Sequence, residues 1–340
     1  MRRGRPEKGT VPSPGGPSSS ATGAGHPRGC QLRLPVTPDG ERAAAYRRAD
    51  GIWLSLAQRH VSGGTMGGVA GHQLLDVVQL PALEPYLAHV GEVFTVFAQQ
   101  DSGCVSYGVQ LPDGGRWFVK EATTDRAKAA LERGWAFHRA VRHPAIVPQV
   151  HRVRVGERSG VVMPWHQGQV LYASTSAGGE DRAAPGSAMA RFRALPLPEV
   201  LRAVATVLDA HLAVAAAGHV AVDFYDGSLL YDFSGGVMHL IDLDEYRPGP
   251  FRLEEDRLPG SRRYMAPEEF RRGAVIDART TVFTLGRALR LLLDAGDVEQ
   301  AWWGSRAQLD VTLRATAAEP AARYRSVAEL ARAWHAASGA

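Results

Sequence analysis

Short runs of alternating apolar and polar residues open at residue 92 and follow one another closely, over 92–98, 104–111 and 116–121. Runs of this length, rich in Val, Phe, Tyr and Trp, predict strands. Between the last two stands Pro112-Asp113-Gly114-Gly115, a hairpin signal because proline presets the first turn angle and glycine accepts positive φ. A helical stretch is expected over 125–141, broken by His143-Pro144, and two further strands over 149–155 and 160–164. The first part of the pattern is therefore a small antiparallel sheet with one helix.

Residues 172–191 are a polar Gly/Ala/Ser-rich interruption, expected to be flexible. Beyond it the period changes from two to 3.6. Leu197, Val200, Val204, Val207, Leu208, His211 and Leu212 fall near one helical face, and Gly218 is placed to stop that helix. Later helices are expected over 280–294 and 326–336.

Composition adds bounds. With 45% hydrophobic and 22% charged residues in 340, there is ample material for a core. Cys30 and Cys104 are the only cysteines and neither has CxxC or Cys/His spacing, so no disulfide framework or zinc site is expected and a reducing cytoplasm fits. No run of 18 uncharged apolar residues occurs, so no membrane span is expected. The net charge of +4 sits at the head of the chain: residues 1–65 carry ten Lys/Arg against four Asp/Glu, and the rest is nearly balanced, which argues against a nucleic-acid partner. Residues 1–65 are expected to be a disordered, basic, Gly/Pro/Ser-rich head, too poor in apolar residues at 1–30 to offset ordering entropy. Translation beginning at Met66 is the alternative reading.

The candidate chemistry lies in residues 218–246, GHVAVDFYDGSLLYDFSGGVMHLIDLDEY. Asp223 follows a helix and a short apolar run. A hairpin follows, turning at Ser234-Gly235-Gly236, and Asp242 stands at its exit. Two carboxylates 19 positions apart thus reach one edge of one ribbon. Phosphoryl transfer uses such a pair, one near the attacking hydroxyl and one on the metal that neutralises the triphosphate; two structural turns would give the same pattern.

This segment resembles the catalytic loop and metal-binding segment of protein kinases, with Asp223 in place of the catalytic-loop aspartate and Asp242 in place of the aspartate that opens Asp-Phe-Gly. Gly260-Ser261-Arg262-Arg263-Tyr264-Met265-Ala266-Pro267-Glu268 resembles the motif that closes the activation segment, and Glu319-Pro320-Ala321-Ala322-Arg323-Tyr324 a later signature that makes Arg323 the ion-pair partner of Glu268. Val282-Phe283-Thr284-Leu285-Gly286 resembles the helix between them. Upstream, Trp117-Phe118-Val119-Lys120 is similar to the strand whose lysine holds the α and β phosphates, His143-Pro144-Ala145-Ile146-Val147 to the segment after the regulatory helix, and Val161-Val162-Met163-Pro164-Trp165 to the hinge strand.

The resemblance is collinear over about 92–336. It implies an α+β, two-lobed protein-kinase-like fold: a lead-in at 66–91, a small β-rich N-lobe at 92–166, and a larger helical C-lobe at 167–340 with the flexible insert at 172–191. It implies a Ser/Thr protein kinase using ATP and Mg²⁺, with Mn²⁺ as a substitute, acting on a protein with a Ser/Thr acceptor. Asp223 would be the base and Lys120 would hold the phosphates. Ser102 and Gly103 would lie over the phosphates, Met163, Pro164 and Trp165 along the adenine, and Asp242, Ser228 and Asp244 about the metal.

The pattern is broken in several places. The phosphate-covering loop, Gln99 to Gly108, keeps only Gly103 and Gly108. Ala221-Val222 replaces His-Arg, Ser228 replaces the metal-binding asparagine with Asp226 as a compensating oxygen donor, and Thr281 replaces an aspartate that anchors the catalytic loop. Gly134 stands where the helix glutamate that pairs with Lys120 is expected, and Glu132 is about 200° round the helix from it. Asp242-Leu243-Asp244 resembles the metal segment of aminoglycoside and choline phosphotransferases. A nucleotide-binding pseudokinase scaffold and a small-molecule phosphotransferase are therefore the alternatives.

Overall fold

A computed structural model of the chain describes residues 45–48, 53–55, 72–98, 102–175, 178–179, 181–296 and 298–339. The architecture is α+β: a β-rich N-terminal part is followed by a helix-rich C-terminal part. Strands β1 (Ala45–Arg48), β2 (Trp53–Ser55), β3 (Val77–Leu80), β4 (Glu92–Phe97), β5 (Cys104–Gln110), β6 (Arg116–Ala122), β7 (His151–Val155) and β8 (Arg158–Pro164) form one sheet in the order β2-β1-β3-β7-β8-β6-β5-β4. All neighbours are antiparallel except β3 and β7.

The β5–β6 hairpin turns where expected. Leu111 N–H donates to the Gly115 carbonyl, Gly115 N–H to the Asp113 carboxylate, and Gly114 takes φ +87°, which a Cβ would disfavour. Its register sets Ser106 opposite Lys120, and β6 in turn pairs with β8, with Phe118 opposite Met163. Helix α1 (Leu83–Val90) buries Leu83, Tyr86, Leu87 and Val90 in a core with Val109, Val119, Val153 and Val155, each such burial being worth about 1.5–3 kcal/mol.

Periodicity alone placed the start of the sheet part at residue 92, but β3 and α1 belong to it. The parallel partner of Gln79 is Arg154, 75 positions away. Of the head expected to be disordered over 1–65, β1 and β2 are strands, and the remainder lies outside the described residues.

Helix α2 (Asp125–Ala140) starts under the Thr124 hydroxyl, which accepts the Ala127 N–H, and ends at extended Val141 ahead of His143-Pro144. Its inward face is Ala127, Leu131, Gly134, Phe137 and His138.

The C-terminal part begins with β9 (Gln169–Val170) and a short ribbon of β10 (Ser174–Thr175) with β11 (Gly178–Gly179), followed by α3 (Ala188–Arg193) and α4 (Leu197–Ala216). Gly218 ends that helical run at φ +69°. Then come β12 (His219–Val220), the hairpin β13 (Leu229–Asp232) with β14 (Val237–Leu240), β15 (Arg247–Pro248), β16 (Phe251–Arg252) and β17 (Val275–Ile276). Helices α5 (Ala278–Leu292), α6 (Arg306–Ala315) and α7 (Val327–Ser338) complete it. Val204, Leu208, Leu285, Leu289 and Trp334 lie in its main core. The segment after α2 is bonded to β14: Val147 N–H donates to Leu240 O and Leu240 N–H to Ala145 O, which fixes the hairpin carrying Asp242 against the sheet part. No helix among the described residues is long and apolar enough to cross a membrane.

Candidate functional site

The sheet and the hairpin bring a lysine and two aspartates together across more than 120 positions. Lys120 Nζ, on β6, donates to Asp242 Oδ1 at 2.6 Å and to Asp244 Oδ2 at 2.8 Å. Gln149 Nε2 donates to the other Asp244 oxygen at 2.7 Å. The two carboxylates have different surroundings: the Asp242 side chain is 46% exposed and that of Asp244 8%. Burial opposes the charge on Lys120, yet Asp242 and Asp244 hold its pKa well above the ordinary lysine value. The charge of Lys120 keeps Asp242 below the usual carboxylate range, and burial pushes Asp244 up.

Asp223 and Asp242 also share a backbone peculiarity. They have φ of +61° and +56°, and Glu299 is the only other non-glycine at positive φ among the described residues. This region costs an L-residue about 1–3 kcal/mol and is held where the surroundings enforce it, often at functional sites. Gly260, at φ +138°, packs beside Asp223, and an added Cβ would stand in ordinary van der Waals contact with Asp223 Oδ1, at 3.4 Å.

Two cavities meet at Lys120. One, of about 480 Å³, is walled by Phe118, Val147, Met163, Pro164, Trp165 and Ile241 and reaches Asp242 and Asp244. The second, of about 520 Å³, is lined by Asp223, Asp242, Asp244, Ser261, Arg126 and Arg257, again with Lys120 and Ser102. The structure thus gathers Lys120, Asp223, Asp242, Asp244, Ser102, Met163, Pro164 and Trp165 around one connected site. Arg116 lies over the Phe94 ring, 4.1 Å from its centroid, and Phe94 meets Trp165 edge-on at 4.8 Å, which fixes the indole.

Other expected residues are placed differently. Gly103, at φ +71°, is packed on the start of α2: its carbonyl accepts from Thr123, and a Cβ would come within 2.6 Å of Thr124 Oγ1. It lines neither cavity. Gln99, Gln100 and Asp101 lie outside the described residues. Ser228 is fully buried, lines neither cavity, and its Oγ has no hydrogen-bond partner. Asp226 does not act as a spare oxygen donor: it is fully buried, and the Arg182 guanidinium binds it through Nε and, at 2.9 Å, through Nη2. Arg182 comes from the interruption at 172–191 and lies 3.4 Å from the centre of the Tyr172 ring.

Thr281, read from the sequence as a lost support, does anchor the loop, since its Oγ1 accepts the Ala221 N–H at 3.1 Å. Glu268 and Arg323 form the buried pair expected of them.

Gln149 and His138 were missed by the sequence reading. Both are polar residues in otherwise apolar inward positions, 4% and 2% exposed, and both line the smaller cavity. That break in the pattern was their signal. Burial, reinforced by the charges of Arg142 and Lys120, lowers His138 to a pKa of about 4, so it is neutral at pH 7.

For a divalent cation, Asp242 offers a carboxylate facing the cleft and Asp223 lines the same cavity. Among the described residues no three His, Cys, Asp or Glu side chains form a ready metal cage. This donor set suits Mg²⁺, which keeps several waters and is held by one or two carboxylates together with substrate phosphates. Asp244 is engaged through both oxygens, and Ser228 is off the cavity wall.

No protein-family model matches the chain, and no curated protein matches it.

Proposed function

We propose that the chain is an ATP-dependent phosphotransferase of the two-lobed protein-kinase-like fold, acting on a Ser/Thr hydroxyl of a protein. The observation that carries the reading is the convergence of Lys120, Asp242 and Asp223 on one cavity, with both aspartates on left-handed backbone. An adjoining apolar cavity lined by Met163, Pro164 and Trp165 has room for a purine.

In this reading Lys120 holds the α and β phosphates and Asp242 holds the metal. Mg²⁺, or Mn²⁺ in its place, supplies neutralisation of the phosphate charge when bound. Asp223 orients the acceptor hydroxyl and takes its proton as the hydroxyl oxygen bonds to the terminal phosphorus and the bond to the ADP oxygen breaks. Ser261, which lines the same cavity, fits a Ser/Thr acceptor through its place in the Gly260 to Glu268 segment that resembles the kinase motif.

The test is calorimetry with ATP, then transfer of labelled phosphate with Mg²⁺ or Mn²⁺ to protein and aminoglycoside acceptors. Asp223→Asn is expected to leave ATP affinity within a few-fold and to lower transfer by about 10²-fold or more, while Asp242→Ala weakens Mg-ATP binding as well. Equal transfer by wild type and Asp223→Asn would sink the assignment. Transfer to aminoglycosides alone would move the acceptor to small molecules.

A nucleotide-binding scaffold is the second reading. It is favoured by Ser228 and Asp244 both being withheld from the cation. ATP binding without transfer to any acceptor under either metal would select it.

A further inference from the structure

We propose that Asp244 is the positioning residue for Lys120, in the role that the kinase resemblance gives to a carboxylate on α2, and that Gly134 of α2 is the notch that admits it. The proposal rests on the nucleotide reading for what Lys120 holds, and on packing alone for the notch.

Three observations carry it. The first is the bond from Lys120 Nζ to Asp244 Oδ2 at 2.8 Å, with both side chains nearly sealed from solvent. The second is the space over Gly134. A Cβ built there would collide with Asp244 Oδ1 and stand 2.9 Å from Gln149 Nε2 and 3.0 Å from Asp244 Cγ. Any residue but glycine would evict the carboxylate or be evicted by it. Glycine in a helix interior is otherwise unfavourable, by about 1 kcal/mol against alanine, so close approach is the physical use of it here. The third is the neighbouring pair. Arg133 of α2 reaches Glu245 Oε2 at 2.6 Å, so at this contact the helix presents a cation and a bare backbone, and the facing loop supplies the acids. Gln149 fixes the rotamer by occupying the second oxygen of Asp244.

Both anionic partners of Lys120 thus come from one three-residue loop, 242–244, bonded through β14 to the segment after α2. A carboxylate carried on α2 would tie the lysine to any shift of that helix. Here the lysine takes both of its carboxylates from the loop that carries the metal-facing Asp242, and α2 contributes the notch at Gly134 and the Arg133–Glu245 pair. Asp244 acts through Lys120, and the cation is left to Asp242.

The experiment compares wild type, Asp244→Gly, Asp244→Asn, Gly134→Glu and the double variant Gly134→Glu/Asp244→Gly. ATP affinity is measured twice by calorimetry, with Mg²⁺ and with EDTA. Loss of one charge-assisted bond to Lys120 is expected to weaken binding about tenfold in Asp244→Gly and Asp244→Asn under both conditions. Gly134→Glu, which forces two carboxylates into space for one, is expected to bind as weakly. The double variant is expected to recover to within about threefold of wild type by returning a single carboxylate from the helix side. Loss confined to Mg²⁺ would make Asp244 a metal ligand and overturn the proposal, as would an unchanged affinity or a double variant no better than Asp244→Gly.

A nucleotide-free arm separates this from the function reading. Gly134→Ala is expected to lower the melting temperature of wild type and to raise it in the Asp244→Gly background, where the notch is empty. If wild type binds no ATP, the nucleotide reading falls and this pair of melts decides the notch by itself. A change of the same sign in both backgrounds would overturn it.

Discussion

The guanidinium of Arg323 closes on the carboxylate of Glu268, with Nη1 to Oε1 at 2.7 Å and Nη2 to Oε2 at 2.9 Å, and neither side chain reaches solvent to any extent. Thr280 Oγ1 donates to the same carboxylate, and Arg323 spends its remaining donors on the carbonyls of Ala317, Ala318 and Arg279. Burial alone would raise the Glu268 pKa, but these bonds hold it below the usual range. Arg323→Ala strands the carboxylate and should cost about 3–5 kcal/mol in urea unfolding. A change under about 1 kcal/mol would show that the pair does not hold the C-terminal part together.

Glu269, next in the chain, behaves oppositely. Burial raises its pKa to about 8, with the Ala266 N–H it accepts working against the rise and the charge of Glu268 adding to it. The fold therefore keeps a proton that the unfolded chain loses. Its stabilising effect is full below the unfolded value of 4.5 and is lost as pH climbs to about 8. Glu269→Gln keeps the acceptor and removes the titration. The melting-temperature difference, wild type minus variant, should fall steadily between pH 5 and 8; parallel curves would contradict the assignment.

Arg182 and Asp226 should be coupled strongly, because Asp226 is fully buried and the Arg182 side chain is 14% exposed. Arg182→Ala should cost about 3–5 kcal/mol by leaving a buried charge unpaired. Asp226→Asn should cost less, and adding it to Arg182→Ala should recover part of the loss. Additive effects in that double-mutant cycle would mean that the pair is not formed in solution.

Thr281→Val removes the acceptor for the Ala221 N–H and is nearly isosteric, so it should destabilise by about 1–3 kcal/mol, the cost of an unsatisfied buried donor. Thr281→Ser should restore most of it. Equal stability of the Val and Ser variants would show that the hydroxyl is not the anchor.

Local physics was legible in the order of residues. The Pro112 to Gly115 turn, the break of α2 ahead of His143-Pro144, the stop at Gly218 and the hairpin between Asp223 and Asp242 each depend on residues within a few positions of one another. Asp223 and Asp242 were found by type and spacing and Lys120 through the resemblance of its strand to the kinase lysine strand, and all three line one cavity. The inclusion of β3 in the sheet, with α1 packed in the core beside it, was not legible, since the pairing of Gln79 with Arg154 leaves no periodic trace.

What the sequence determined by itself was the run of strands from β4 to β8, the helices α2, α4, α5 and α7, the β13–β14 hairpin and which residues could do chemistry, because propensity, turn geometry and motif spacing act over short range. The tertiary structure decided which of several chemically equivalent groups met. Asp226 went to Arg182 from the interruption, Thr281 took the Ala221 N–H, and Asp244 rather than α2 gave Lys120 its second carboxylate. These pairings span 44 to 124 positions. Each was settled by desolvation, since a charge or N–H shut away from water must take the partner that packing brings within about 3 Å. At Gly134 the deciding quantity was one missing Cβ, which the sequence shows as a glycine and only the fold shows as the space filled by Asp244.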